Sequence, residues 1–269
     1  MPSKTITFLG TGAADATKYY HSCFYIQNKD IGLLVDTGGG NGILSQLEKM
    51  NIPLESIRHL FVTHKHIDHL LGIFWILRLL GAKIAKNEAK DLTIYASQNV
   101  IKIIQDIAPT FLSEKVTKLF AGKIMFHPID GETKITIGSW QLEPFNLQST
   151  KEEQFGFRLQ FEDGQNFVCL GDEPYKESLL VACKNADYLL HNAFCLERDS
   201  ARFKPHDMHH SSVKDACDAA TTTNAKNLIL IHTEDRSTFS NRKKAYIEEA
   251  TKYYSGNVLV PNDLETIVL

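Results

Sequence analysis

Three histidines and one aspartate occur within residues 64–69, between an apolar run and an apolar segment with helical periodicity. His64 and His66 flank a single residue, so on an extended or turn backbone their side chains project to the same side. Asp68 and His69 follow in the turn and in the first residues of the next helix. Imidazole and carboxylate groups together suit zinc, iron or manganese rather than calcium. The segment therefore predicts a transition-metal site where a strand leads into a helix.

Metal-ligating side chains also follow three apolar runs further along the chain. Asp172, His191 and His232 each stand at the end of such a run. Because open α/β sheets bind ligands beyond the carboxyl ends of their strands, these ends are expected to converge on the first cluster. Asp172 can bridge two cations through its two oxygens, and His232 can complete the second site. Two metal ions about 3.5–4 Å apart would generate a hydroxide nucleophile and clamp the reacting oxygens.

Apolar periodicity predicts the elements that position these residues. Strands and helices alternate in the first third of the chain and again in the last third. Residues 123–170 instead contain several strand candidates, with the sequence EDGQ as a hairpin turn. Two halves that each combine a sheet with covering helices predict a layered α/β sandwich, as a single domain over residues 1–269.

Composition excludes several classes of protein. The chain has 269 residues, of which 43% are hydrophobic and 23% charged, and its net charge of −3 gives no global attraction to nucleic acid. The N-terminal segment lacks the pattern of a signal peptide, and no apolar run approaches the roughly 20 residues of a membrane span. The five cysteines include no closely spaced pair, which predicts reduced, buried thiols in a cytoplasmic protein.

Seven short segments carry a family resemblance that spans nearly the whole chain. In chain order they are FLGTGAA, LLVDTGGG, THKHIDHLLG, LGDE, LLHNAF, HHSSVKDA and LILIHTEDR. Their order and spacing resemble those of the metallo-β-lactamase superfamily, and in particular its ribonuclease Z-like branch. The resemblance implies a four-layer αββα sandwich and hydrolysis, commonly of phosphodiesters. It also implies two divalent metal ions, usually zinc, with manganese or iron as alternatives.

The resemblance assigns the metal ligands as two sets that share one residue. His64 and His66 are expected on the first metal, and Asp68, His69 and His232 on the second, with Asp172 bridging both.

The resemblance also assigns catalytic and supporting residues. His210, just before Ser211, is expected to donate a proton to the leaving oxygen, in keeping with the ordinary pKa range of histidine. Asp68 is the second candidate for catalysis. Four further residues are expected to support the ligands without binding metal, namely Asp36, Thr37, His191 and Asn192.

Two positions depart from the family pattern. Gln148 stands where the family has a third histidine on the first metal, so this site is depleted, or binds through Gln148, or uses water. His127 is a candidate substitute that lies about 20 residues earlier. Asn192 replaces the glutamate that would orient the proton donor, so His210 is expected to be less basic and less well oriented. Candidates for compensation are His206, Asp207 and His209.

The sequence leaves several functions open. The favoured function is hydrolysis of a phosphodiester or a nucleotide-like small molecule by a metal-dependent enzyme. Hydrolysis of a thioester, lactone or β-lactam on the same site is an alternative, and a degenerate member that binds a ligand or partner is another. Processing of tRNA 3′ ends is less favoured, because no Gly/Pro- and Lys-rich insert resembles a tRNA-gripping arm. Nucleic acid as a partner is therefore not favoured, and a homodimer is left open.

Overall fold

The structure is a computed structural model that describes residues 4–29 and 31–269. The chain divides into two compact units. The first unit contains residues 4–10, 20–129 and 263–269, and the second contains residues 11–19 and 130–262. The expectation that the chain forms a single domain stays a prediction.

Strands form the centre of each unit. In the described residues they are, in chain order, β1 (Thr5–Gly10), β2 (Cys23–Gln27), β3 (Gly32–Val35), β4 (His59–Phe61), β5 (Leu92–Ala96), β6 (Ile124–Pro128), β7 (Ile135–Ile137), β8 (Trp140–Asn146), β9 (Phe155–Gln160), β10 (Asn166–Cys169), β11 (Tyr188–Asn192), β12 (Asn227–Ile231), β13 (Asn257–Leu259) and β14 (Glu265–Val268).

Helices connect many of these strands. The α-helices of the described residues are α1 (Gly42–Lys49), α2 (Ile67–Leu70), α3 (Ile73–Ala85), α4 (Gln98–Phe111), α5 (Glu114–Thr117), α6 (Leu180–Cys183), α7 (Ser200–Phe203), α8 (Val213–Thr222) and α9 (Arg242–Ala250).

The sheet of the first unit has the order β14-β1-β2-β3-β4-β5-β6. Strands β14, β1, β2 and β3 pair antiparallel, whereas β3 to β6 pair parallel. Strand β14 pairs with β1 in the register Thr5↔Val268 and has no counterpart among the predicted strands. Its residues alternate between partly buried and exposed, so the segment has no continuous apolar run to mark it as a strand.

The sheet of the second unit has the order β13-β12-β11-β10-β9-β8-β7. Here β7 to β10 pair antiparallel and β10 to β13 pair parallel. The predicted EDGQ turn joins β9 to β10. Within it Gly164 adopts a positive φ of 85°, and Phe161 N–H donates to the Gln165 carbonyl at 2.9 Å across the turn. Glycine adopts this conformation without steric cost, which confirms the hairpin prediction.

Each sheet buries an apolar face beneath its own helices. In the first unit, Leu77 and Leu80 of α3 and Ile104 of α4 belong to the same core as the strands. In the second unit, Cys217 of α8 and Tyr246 of α9 join the core of that sheet. The prediction that each half of the chain combines a sheet with covering helices is therefore confirmed.

Two further predictions concern bulk properties. All five cysteines are buried and free, as expected for reduced thiols. Among the described residues, no helix has the length and apolar character needed to traverse a lipid bilayer.

Candidate metal centre

In the first unit, the carboxylate of Asp36 organises the histidine segment. Asp36 follows β3 and accepts three hydrogen bonds, from Thr63 N–H and Thr63 Oγ1 at 2.8 Å each and from His69 Nδ1 at 2.7 Å. Burial raises the pKa of Asp36, and His69 is the first of the neighbours that oppose this rise. The predicted supporting position of Asp36 thus has a physical basis, because its carboxylate contacts the His69 ring directly.

The Asp36 carboxylate fixes which nitrogen of His69 carries the proton. A carboxylate only accepts hydrogen bonds, so Nδ1 of His69 must donate, and in the neutral ring Nε2 carries the lone pair. That Nε2 atom lies 3.2 Å from Oδ2 of Asp68. Both residues are buried. Two lone-pair-bearing atoms at this distance, away from water, are an arrangement that a cation between them stabilises.

The same carboxylate also orients His64, through the hydroxyl group of Thr63. The Thr63 hydroxyl donates to Asp36, so its oxygen accepts from Nδ1 of His64 at 2.9 Å. His64 therefore also presents Nε2, which lies 2.9 Å from Nδ1 of His66. The predicted projection of His64 and His66 to one side is confirmed by this short distance.

Thr37 and Gly72 clamp the turn that carries the ligands. Thr37 donates its backbone N–H and its hydroxyl to the His69 carbonyl, at 2.8 and 2.9 Å. Gly72 donates its N–H to the Gly38 carbonyl at 2.9 Å, and a Cβ atom at Gly72 would lie 2.0 Å from the Thr37 carbonyl oxygen. Only glycine permits so close an approach of the two loops.

In the second unit, Asp172 and His232 form the corresponding pair. Both are buried, and Nε2 of His232 lies 3.0 Å from Oδ2 of Asp172. Asp172 comes shortly after β10 and His232 directly after β12, two strands of the parallel part of the sheet. His232 adopts a left-handed backbone with φ of 57°. Such backbones are uncommon outside glycine and recur at functional sites.

His210 lies beside this pair. Its ring stacks on Phe194 with 5.4 Å between centroids and an angle of 18°, and lies 4.9 Å from the His232 ring. Nδ1 of His210 is 3.4 Å from the Asp172 carbonyl oxygen. Burial, followed by the proximity of His232, lowers the pKa of His210 to about 4. His210 was expected to be less basic than usual, and its lowered pKa has that direction.

Asn192 holds two loops of the second unit together. Its amide donates to the Glu173 carbonyl at 3.0 Å and accepts from Ser211 N–H at 2.8 Å. These are the residues directly after Asp172 and His210. His191 donates Nδ1–H to the Asn192 carbonyl at 2.7 Å, and burial lowers the pKa of His191. Asn192 thus orients the two loops rather than the His210 ring itself.

Gln148 has a local partner within the second unit. Its amide oxygen accepts from the Ser178 hydroxyl at 2.8 Å, and its backbone is left-handed with φ of 55°. Lys176 donates to the carbonyls of Leu147 and Gln148 at 3.0 and 2.5 Å. Whether Gln148 also binds metal stays a prediction.

The remaining histidine candidates also have local partners. His127 lies in β6, where its ring packs against Tyr95 with centroids 5.5 Å apart. Nε2 of His206 pairs with Asp215 at 2.7 Å. His209 lies near Thr150, with 3.4 Å between Nδ1 and the hydroxyl oxygen.

Sequence reasoning missed three residues that shape the site. The Thr63 hydroxyl links Asp36 to His64 by hydrogen bonds, and Phe194 stacks on His210. Buried Glu173 contacts Gln154 and Lys176 at 3.4 Å each. Thr63 and Glu173 directly adjoin assigned ligands, which is the one signal that could have found them. Phe194 lies in the LLHNAF segment, but nothing in that segment indicates that its ring stacks on His210, because this contact depends on where the chain folds back.

Comparisons with known proteins identify the family to which the chain belongs. A family model described as "Beta-lactamase superfamily domain" matches residues 32–233. Ribonuclease Z of Nanoarchaeum equitans is 25% identical over an alignment of 271 positions, gaps included, that covers 86% of this chain and 84% of that protein. The metallo-beta-lactamase fold protein YhfI from Bacillus subtilis has a TM-score of 0.79 at 20% identity, with 98% and 99% of the two chains covered. A diphosphatase from the PhnP family has a TM-score of 0.71 at 17% identity, with 99% and 97% covered.

The fold is of the α/β class, and its buried histidines and aspartates follow parallel strands. This is the arrangement of a metal-dependent hydrolase. The chain belongs to the beta-lactamase superfamily, since the family model covers most of its length. The resemblance to the metallo-β-lactamase fold and its ribonuclease Z-like members is confirmed, and so is the prediction of a metal-dependent hydrolase.

The donor groups fit a divalent metal. Four buried residues offer two imidazoles and two carboxylates, namely Asp68, His69, Asp172 and His232. This combination suits zinc, manganese and iron. Together with the family match, it indicates that the chain binds divalent metal.

Proposed function

We propose that this chain is a phosphodiesterase that acts on a small phosphodiester or nucleotide-like substrate with two divalent metal ions, most commonly zinc. The observation that carries the proposal is the Asp36 network, which fixes the tautomers of His64 and His69 so that both rings present Nε2. Carboxylate and hydroxyl partners of this kind commonly orient the histidines that bind a metal ion.

The proposed ligands follow from the assignment made above. His64 and His66 serve the first ion, and Asp68, His69 and His232 serve the second, with Asp172 shared between them. Gln148 is left out of this set, because its amide oxygen already accepts the Ser178 hydroxyl. Such ions, when bound, polarise the phosphoryl group and lower the pKa of water.

The chain's own residues would then position and protonate the substrate. His210 is proposed to donate the proton that the leaving oxygen needs. Its Nδ1–H donates to the Asp172 carbonyl oxygen, so Nε2 can give up a proton only from the imidazolium form. The pKa of about 4 disfavours that form, and the negative charge of a bound phosphodiester would favour it. Phe194 holds the ring in its plane by stacking.

A metal-loading assay with matched substrates tests the proposal. Purified protein is depleted of metal, reloaded with zinc or manganese, and assayed with bis(4-nitrophenyl) phosphate, a thioester and a lactone. Metal-dependent turnover of the phosphodiester, abolished in Asp172→Ala, is the expected result. Turnover of the thioester or lactone without the phosphodiester would select the alternative ester hydrolase, and turnover of none of them would refute the proposal.

Processing of tRNA precursors is a second candidate, because the relative from Nanoarchaeum equitans is named ribonuclease Z. A precursor tRNA with a 3′ extension, compared with a short phosphodiester under identical metal loading, distinguishes the two functions. We expect a higher kcat/KM for the short substrate, since the net charge of −3 offers little attraction to a polyanion. A preference for the precursor of tenfold or more would reverse this ranking.

A further inference from the structure

An aromatic pocket of about 600 Å³ lies in the first unit between α3, the end of α4 and the backbone of Gly39 and Gly40. We call it the α3–α4 pocket. Phe74 and Phe111 form one corner, with ring centroids 6.0 Å apart at 73°. A Cβ atom added to Gly40 would meet nothing within 4 Å, so the space beside this loop is open. The volume is typical of small-molecule sites.

Two of the three aromatic side chains of the pocket are exposed, and the third, Phe74, is buried. Trp75 is 41% exposed and Phe111 is 63% exposed, and the neighbouring Leu71 is 40% exposed. Contiguous apolar surface of this kind costs free energy in water, and where it persists it marks a surface that binds something. Because the surface is concave, it fits the apolar part of a small ligand.

The charge of Arg78 indicates what kind of ligand. Arg78 lines the pocket, and among the described residues no carboxylate lies within 4.0 Å of its guanidinium. Lys83 on the same helix lies outside the pocket and is paired with Glu55 at 3.0 Å. An unpaired guanidinium beside aromatic walls matches a carboxylate, which it can bind through two parallel hydrogen bonds.

We propose that the α3–α4 pocket binds a small amphipathic carboxylate, with its apolar group against Phe74, Trp75 and Phe111 and its carboxylate on Arg78. None of the residues that line this pocket is an assigned metal ligand, and the proposal does not depend on the proposed phosphodiesterase activity. A neutral ligand of the same shape would gain the apolar contacts but would lack the ion pair.

Fluorescence of Trp75 provides a direct assay. The only other tryptophan, Trp140, is fully buried, so a quencher or ligand in the pocket acts on Trp75. Decanoate is titrated against decanol, with the Trp75→Phe variant to assign the signal. We expect decanoate to bind about tenfold more tightly than decanol, and Arg78→Gln to remove that difference. Lys83→Gln is the matched control, because it also removes one cation from α3, and it should leave the difference unchanged.

Three results would overturn the proposal. The first is equal binding of decanoate and decanol to the unaltered protein, and the second is an Arg78→Gln variant that keeps the preference. The third is a dimer, detected by sedimentation, that Phe111→Glu dissociates and that decanoate does not affect, which would assign this surface to a second copy of the chain.

Discussion

The two units present their candidate ligands in different ways. The first supplies His64, His66, Asp68 and His69 from six consecutive residues, whereas the second supplies Asp172 and His232 from strand ends 60 positions apart. In the first unit a single carboxylate, Asp36, orients the segment. In the second unit the amide of Asn192 joins the loop after Asp172 to the loop after His210. A contiguous segment needs one anchor for its rings, while dispersed ligands need their loops fixed to one another.

The two units also share a backbone feature at the ends of their strands. Asp36 and His232 both follow a strand of the parallel part of a sheet, and both are left-handed, with φ of 55° and 57°. A residue in this conformation turns the chain sharply as it leaves the strand, at a cost of order 1–3 kcal/mol. Each unit therefore uses a strained backbone to present a polar side chain at the strand end.

The largest expected loss of activity is for a ligand of the second unit, and a ligand of the first unit should matter less. Asp172→Ala should lower kcat/KM for a phosphodiester by about a thousandfold, because the proposed shared ligand is lost and metal is released. His64→Ala should cost less, since the first metal already lacks the third histidine of the family. Elemental analysis alongside kinetics checks both variants. Equal losses of activity and metal in the two variants would contradict this asymmetry.

His210→Ala tests the proton donor of the second unit. We expect kcat to fall about a hundredfold for a substrate with an alkoxide leaving group, because that oxygen must be protonated as it departs. With a 4-nitrophenolate leaving group the loss should be much smaller, since this group leaves without a proton. Metal content should stay unchanged, and a loss that does not depend on the leaving group would indicate a different part for His210.

Asp36→Asn tests the anchor of the first unit. The amide cannot accept from both Thr63 and His69 as the carboxylate does, so the tautomers of His64 and His69 are no longer fixed. We expect metal affinity to fall by about 10- to 100-fold. Competition with a fluorescent chelator measures it. Unchanged affinity would show that the rings need no anchor.

Asn192→Asp is the corresponding test in the second unit. The carboxylate can still accept from Ser211 N–H but cannot donate to the Glu173 carbonyl. A loss of about tenfold in kcat/KM is expected, because the Asp172 loop is released from the His210 loop. Asn257→Asp, at an exposed position of β13 in the same unit, is the control and should keep full activity.

The smallest expected effect concerns His59, a histidine of the first unit outside the metal segment. Burial, with a contribution from Arg58, lowers the pKa of His59 from 6.5 to about 4. Below pH 6.5 the unfolded chain binds a proton that the folded protein does not, so stability is lost as the pH falls from there towards 4. His59→Gln should remove about 1 kcal/mol of this loss, after allowance for the partial exposure of the ring. Urea unfolding of both proteins at about pH 7.5 and pH 5.5 measures the difference.

Prediction from sequence succeeded where the physical signal is local. The apolar runs of β4 and β10, the periodicity of α3 and the EDGQ turn all depend on neighbouring residues, and each was predicted. Strand β14 was missed, because its pairing with β1 joins the two ends of the chain. Phe194 was missed for the same reason, since its stacking on His210 depends on a distant loop.

The sequence by itself determined which donor groups the candidate metal site contains. Residue type and spacing within residues 64–69 specify imidazole and carboxylate donors at a strand-to-helix turn, whatever the rest of the chain does. Only the tertiary structure decided which atoms are presented, because the tautomers of His64 and His69 depend on hydrogen bonds to Asp36, about 30 residues away. It also decided that Gln148 contacts Ser178 and that Arg78 faces an aromatic pocket. Side-chain direction and burial arise from long-range packing, which no local pattern encodes.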